Sequence, residues 1–162
     1  KERAAAWHTV MTAVPGEQSF EVPASAVEGR LPPELAGGRH LQNGPGWTRI
    51  GDRLAHPFDG HGFVRSLVFG ADGGARFRSR FVKTPAYVAE RAAGRLMHKG
   101  LGTNVSDSPL QNLRAPGPRN VSNTTIQPWA GRLMGRSRPA VGRARAGRDS
   151  WRGRPTRARA GP

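Results

Sequence analysis

The sequence contains no cysteine among its 162 residues. That excludes disulfides, zinc–thiolate sites, iron–sulfur clusters and a thiol nucleophile, and leaves the redox compartment undetermined. Lysine is almost missing too: only Lys1, Lys83 and Lys99 stand among 26 basic residues. Phosphate is neutralised equally well by either cation, so an arginine-only excess points to GC-rich coding as much as to charge selected for a partner. Acidic residues number 11 and aromatics make up 7%, so the material for a core is modest. No apolar run approaches the ~20 residues of a membrane helix, and the first residues lack the apolar stretch of a secretory signal. A cytoplasmic protein is the expectation, with peripheral membrane contact left open.

What is abundant is positive charge, and its placement matters more than its sum. The formal net charge is +15. Residues 135–162 hold nine arginines and one acid, Asp149, for a net of +8, and the other 134 residues carry +7. Arg, Gly, Ala and Pro make up 22 of those last 28 residues. No apolar period survives there, so the segment cannot bury a face and is expected to be disordered. The expected organisation is an N-terminal arm over residues 1–26, a folded body over 27–134 and this tail over 135–162.

Within the body, Phe63–Phe69 and Ala75–Val82 flank Gly70-Ala-Asp-Gly-Gly74. This predicts an antiparallel hairpin whose turn draws positive φ angles from glycine. In its second strand Arg76, Arg78 and Arg80 alternate with Phe77, Ser79 and Phe81, which assigns one face to solvent and one to protein. Phe20 and Val22 suggest a short edge strand. A second short strand is expected over Arg39–Gln42, ending at the turn residues Asn43-Gly-Pro-Gly46. Thr84-Pro85 is a good helix entry, with a hydroxyl cap and proline at the first helical position, and the helix should end near Gly94. Leu101 to Arg119 reads as a long loop. Asn120–Ile126 is rich in β-formers, and Pro128 to Met134 reads as a turn followed by a further strand.

His56-Pro-Phe-Asp59-Gly60-His61-Gly62 gathers two imidazoles and a carboxylate, the ligand types of a non-haem iron face. The same residues make an ordinary turn before a strand, with Phe58 tucked into a core and the polar groups facing water. The turn is the favoured reading. His8, His40 and His98 have no second ligand at metal spacing and read as surface or packing histidines. Gly100-Leu-Gly102 lacks the remaining glycine and lysine of a phosphate loop. Asn104, Asn120 and Asn123 fit the glycosylation pattern, which carries no weight without a secretion signal. The arginine-rich tail admits an alternative function, a small basic β-rich module binding nucleic acid or an acidic partner. With only Trp151 for stacking and no repeat, nucleic acid is not the expected partner.

Five motifs in order and spacing resemble the N-terminal part of the carotenoid oxygenase family, the carotenoid, apocarotenoid and lignostilbene cleavage dioxygenases. They are Val27-Glu-Gly-Arg-Leu-Pro-Pro-Glu-Leu-Ala-Gly-Gly38, Leu41-Gln-Asn-Gly-Pro-Gly46, His56-Pro-Phe-Asp-Gly-His-Gly-Phe-Val64, Arg80-Phe-Val-Lys-Thr84, and Asn120-Val-Ser-Asn-Thr-Thr125 with Gly131-Arg-Leu-Met134. The resemblance implies an all-β fold: here, one to two blades of a seven-bladed β-propeller, with one short helix. It also implies Fe(II) held by four histidines, and O2-dependent cleavage of a C=C bond in an apolar polyene or stilbenoid. None of His8, His40, His56, His61 or His98 matches one of those iron ligands. His61 stands where the family usually has an acid, and Gln42 where it usually has arginine. No catalytic, cofactor-binding or metal residue is therefore carried over, and no cofactor is expected to bind this chain by itself. A closed ring needs on the order of 300 residues, so the chain is expected to be a fragment without activity of its own. A shift of reading frame near residue 135 is the expected origin of the tail.

Overall fold

In the computed structural model, Val14 and residues 16–129 and 132–136 are described. Most of the body is β. Four antiparallel strands form one sheet: β1 (Ser19–Val22), β2 (Arg39–Trp47), β5 (His61–Phe69) and β6 (Ala75–Phe81), in the order β1-β6-β5-β2. Two small ribbons accompany it, β3 (Arg49–Ile50) with β4 (Arg53–Leu54), and β7 (Thr125–Trp129) with β8 (Arg132–Arg136).

The β5–β6 hairpin forms as its sequence dictates. Phe69 pairs with Ala75 and Phe63 with Phe81. The turn closes through a Gly70 N–H to Gly74 carbonyl bond of 2.8 Å, and Gly73 adopts the φ of +84° that a side chain would resist. Along β6, Ser79 and Phe81 are buried while Arg76 and Arg78 are exposed. The edge strand β1 adds Phe20 opposite Phe77, their rings stacked with centroids 4.9 Å apart. Its Glu21 meets Arg76 at 2.5 Å on the solvent side, an exposed pair of small energetic value.

Three expectations need correction. First, β2 does not stop at Gln42. It continues through Asn43-Gly-Pro-Gly46 to Trp47, with Asn43 opposite Val64 and Pro45 opposite Gly62, and a register shift between Pro45 and Trp47. The bulge absorbs the proline that would otherwise interrupt the ladder. Gly46 is needed because a Cβ there would run into the Cβ and ring of Phe63. Second, the described residues form two short α-helices where one was expected. α1 (Pro85–Ala93) is capped by Thr84, whose Oγ1 accepts from the Tyr87 N–H at 3.1 Å, and stops at Gly94 with φ +62°. α2 (Pro109–Arg114) lies in the segment read as loop. Its entry is held by Asn112, which accepts from the Ser106 N–H at 3.0 Å and donates to the Ser106 carbonyl at 2.7 Å. Third, strand structure begins only at Thr125, not at Asn120. The backbone of Val121 and Ser122 turns instead, Ser122 taking φ +45°, so that the Val121 carbonyl accepts from the Gly62 N–H at 2.7 Å.

β8 runs to Arg136, two residues beyond Met134. The disorder expected of the tail, and His8 in the arm, fall outside the described residues. The core is aromatic: Phe63, Phe81 and Tyr87 are buried together, with Trp47 and Val14 packed on them. The Phe63–Phe81 and Phe81–Tyr87 centroids lie 4.7 and 5.3 Å apart, distances at which rings attract beyond simple burial. No helix among the described residues is long and apolar enough to cross a membrane.

Candidate functional site

Beneath the aromatic core lies a buried charge cluster. His61 opens β5 two residues before Phe63, so its side chain leaves the same face of the strand. Its imidazole lies 5.3 Å from the Trp47 ring and 5.4 Å from Tyr87. Glu90 sits three residues after Tyr87 on α1, on the same inward face of the helix. Both His61 and Glu90 are 0% exposed, and Arg119 and Asp59 are buried with them.

Glu90 is the hub. Its Oε2 accepts from His61 Nε2 at 2.7 Å and from Arg119 at 2.9 Å. Its Oε1 accepts from the backbone N–H groups of Met97 and His98 at 3.1 and 3.0 Å, and lies 3.3 Å from His98 Nδ1. Burial alone would raise the Glu90 carboxyl. The His61 hydrogen bond, the Arg119 charge and the two backbone donors outweigh it and lower the group to about 2. Asp59 forms the second hub, accepting from the N–H groups of Leu101 and Gly102 at 2.8 and 2.9 Å and from the Thr103 hydroxyl at 2.7 Å. Burial pushes its carboxyl up, but those three donors and Arg119 bring it below the ordinary aspartate range. Arg119 joins the hubs, donating to Glu90 and to the Asp59 carbonyl.

His61 responds in the opposite sense to a surface histidine with an acid beside it. Burial depresses its basicity first; the Glu90 bond raises it, the Arg119 charge lowers it, and the balance is a lowered pKa. With Nε2–H committed to an ionised Glu90, Nδ1 is the bare nitrogen, and it has no hydrogen-bond partner.

This geometry inverts the expectation for His56–Gly62. Phe58, expected in a core, is 73% exposed, whereas Asp59 and His61, expected to face water, are sealed inside. The reason is partnership: each polar group finds several donors or a counter-charge in the interior, while Phe58 occupies the tip of a 3-10 turn over Pro57–Asp59. His98, read as isolated, also meets the cluster at Glu90. His40 stays exposed on β2, and His56 caps its own turn through Nδ1 and the Phe58 N–H at 3.3 Å. Glu90 and Arg119 were not anticipated. The one available signal was an acid placed three residues after Tyr87, on the inward side of a helix.

A second set of contacts ties the sheet to the β7–β8 ribbon. Asn43 donates from Nδ2 to the carbonyls of Ser122 and Thr125 at 2.8 and 3.0 Å. Asn123 donates from Nδ2 to the carbonyls of Phe58 and Gly60 at 2.9 and 2.8 Å.

Among the described residues no three His, Cys, Asp or Glu side chains converge as a metal-holding set. The nearest grouping, His61, Glu90 and His98, does not suit one. Arg119 brings a fixed positive charge onto Glu90 Oε2, and Oε1 is taken by backbone donors. The chemistry of the cluster is that of a clasp: it fixes loops and a helix to the sheet and offers no exposed nucleophile or base.

Comparison with known proteins places this architecture. The model of the family described as RPE65, retinal pigment epithelial membrane protein, matches residues 13–137. An apocarotenoid-15,15'-oxygenase from Synechocystis is 40% identical over 119 residues, covering 72% of this chain and 24% of the relative. A carotenoid cleavage dioxygenase 7 from rice is 34% identical over 119 residues, covering 70% of this chain and 19% of the relative. A chimera of the apocarotenoid oxygenase and RPE65 superposes with a TM-score of 0.73 at 36% identity, over 81% of this chain and 27% of that one. The cobalt-substituted Synechocystis enzyme superposes at 0.64 with 34% identity over the same shares. The chain thus spans about a quarter of the length of these proteins. With the family model matching well over half of its residues and a relative 40% identical over 72% of it, the chain belongs to the RPE65 family of carotenoid oxygenases.

Proposed function

We propose that this chain is the N-terminal part of a non-haem Fe(II) dioxygenase that cleaves a C=C bond of a carotenoid, apocarotenoid or stilbene-like substrate with O2, and that it has no such activity alone. The observation that carries the proposal is the 119-residue match to a protein named apocarotenoid oxygenase. The four-stranded sheet is the content of one propeller blade, and the β7–β8 ribbon supplies the first strands of a second. A metal in the family is supported by the cobalt-substituted neighbour. The described residues do not fit that metal, so no step of the reaction is assigned to them. Their part is scaffolding: a first blade whose buried clasp fixes the loops.

The family match reaches residue 137, and the composition changes at about the same place. A shift of frame in the coding DNA accounts for both. Translating the DNA beyond the Met134 codon in the other two frames is expected to yield alternating β segments and further histidines. The protein so restored is expected to bind Fe(II) and to give two carbonyl products from an apocarotenal or a stilbene under O2. Failure of both frames to yield such segments ends the frame-shift reading. An iron-loaded restored protein that leaves polyenes and stilbenes intact ends the activity reading. Tight one-to-one Fe(II) binding with alkene cleavage by the 162-residue chain itself would show that the blade is more than scaffold.

A further inference from the structure

His61 occupies an unusual position for a titratable group. It is fully buried, its Nε2 is engaged by Glu90 Oε2 at 2.7 Å, and its Nδ1 faces no acceptor. We infer that His61 is a proton-operated latch: neutral, it closes the Glu90 clasp that holds Met97 and His98 to the sheet, and a proton taken from solvent onto Nδ1 opens it.

The argument rests on what surrounds the ring. α1 contributes Tyr87, Glu90 and Arg91; the loop after it contributes His98; the segment before β7 contributes Arg119; the turn before β5 contributes Asp59 through Arg119. β2 contributes the Trp47 ring. Among the described residues Glu90 is the one anion in contact with the imidazole, and its Oε2 already receives Nε2–H and Arg119 whether or not Nδ1 is protonated. A second N–H therefore gains no hydrogen bond. It places a cation without solvent beside the Arg119 guanidinium, whose charge cannot be removed. A buried donor without an acceptor is costly, and a charged one more so. The proton is accommodated when the ring reaches water, and that requires parting from Glu90. The same carboxylate holds the Met97 and His98 N–H groups, so the loop is released with it. Glu90 and Asp59 stay ionised throughout the pH range in which an exposed histidine titrates, so neither can be the trigger. His98, at the cluster's 22%-exposed edge, is the competing trigger.

Amide hydrogen exchange of the full 162-residue chain tests this, read at Met97 and His98, the two amides that Glu90 holds, and corrected for intrinsic chemistry. An open-state histidine of ordinary pKa and a closed state that binds the proton more weakly predict an opening constant larger at pH 5.0 than at pH 7.5, by up to about 30-fold. Amides of the β5–β6 ladder should not follow. His61→Gln keeps an N–H for Glu90 but does not titrate, and should flatten the rise; His98→Asn should leave it intact. A rise that persists in His61→Gln, disappears in His98→Asn, or spreads equally to the ladder overturns the latch. Should His61→Gln fail to fold, imidazole 15N shifts of the unmodified chain decide. An unprotonated Nδ1 at pH 7.5 that gains its proton in step with loop opening supports it, and protonation above pH 6.5, or without loop opening, overturns it.

Discussion

The side-chain amide of Asn43, in the middle of β2, donates to the carbonyl of Ser122 at 2.8 Å across a sequence separation of 79 residues. Asn123 returns the contact from the other side, donating to the carbonyls of Phe58 and Gly60. Two amides thus join the sheet and its preceding turn to the ribbon that follows, each spanning two carbonyls with the two hydrogens of its NH2 group.

Asn43→Asp should therefore unfasten the ribbon. The change turns a double donor into an acceptor facing two carbonyl oxygens in a partly buried site, at a loss of roughly 2–4 kcal/mol. Exchange protection is expected to fall in β7 and β8 while the β5–β6 ladder keeps its own. Equal protection in both variants would mean that the ribbon is held by other contacts.

Glu90 and Arg119 should show strong coupling. Glu90→Gln or Arg119→Met alone leaves the other charge buried without its counter-ion, for a loss of about 3–5 kcal/mol each. The double substitution removes both charges and should cost clearly less than the two losses added. Urea unfolding of the four proteins gives the coupling, and simple additivity would show that the two side chains act independently.

Stability should fall on acidification in two stages. His61 has a native pKa below the ordinary histidine value of 6.5 because burial, then the Arg119 charge, outweigh the Glu90 bond. The unfolded chain therefore takes up a proton first, and stability declines as pH drops below about 6.5, with a limiting slope of about 1.4 kcal/mol per pH unit. Glu90 and Asp59 have lowered native values, so their stabilisation is complete above the ordinary carboxylate range. It is lost as pH falls from 4.5 toward about 2 for Glu90, and below 3.8 for Asp59. Urea midpoints at pH 7.5, 5.5 and 3.5 should decrease in that order; a midpoint that rises between 7.5 and 5.5 contradicts the assignment of a neutral buried His61.

Gly62→Ala should separate β5 from the segment before β7. A Cβ at Gly62 would meet the Ser122 carbonyl oxygen, and the same residue donates to the Val121 carbonyl at 2.7 Å. Neither neighbour is a flexible side-chain end, so the backbone must move, and a loss of roughly 1–3 kcal/mol is expected. A melting temperature within a degree of the parent would show that the contact relaxes freely.

How much of this was legible in the sequence follows from the range of the forces involved. The β5–β6 hairpin, the edge strand β1 and the Thr84 cap rest on local alternation, turn glycines and a hydroxyl three residues from its donor, all visible in the string. Asn43-Gly-Pro-Gly46 carries equally strong local turn signals, yet pairs as strand because β5 supplies nine residues of partner and Gly46 fits under Phe63. The His56–Gly62 motif misled for a related reason. A histidine and an aspartate before a strand look solvent-bound until Glu90, Thr103 and Arg119 arrive from 29 to 60 residues away. Local propensity cannot register such partners, because burying a polar group is decided by what meets it.

The proline and bulge in β2 bear on how the molecule behaves among its own copies. Among the described residues β2 lies at one margin of the four-stranded sheet, the kind of position at which unpaired N–H and C=O groups can template a strand from another molecule. Pro45 has no N–H to offer, and the shift between Pro45 and Trp47 breaks the two-residue rhythm that an incoming strand must match. An intruding chain would find regular rungs only along Arg39–Gly44, the stretch whose Asn43 is already fastened to Ser122 and Thr125. The motif that serves the packing of Phe63 thereby also breaks the regularity of the margin that β2 forms among the described residues.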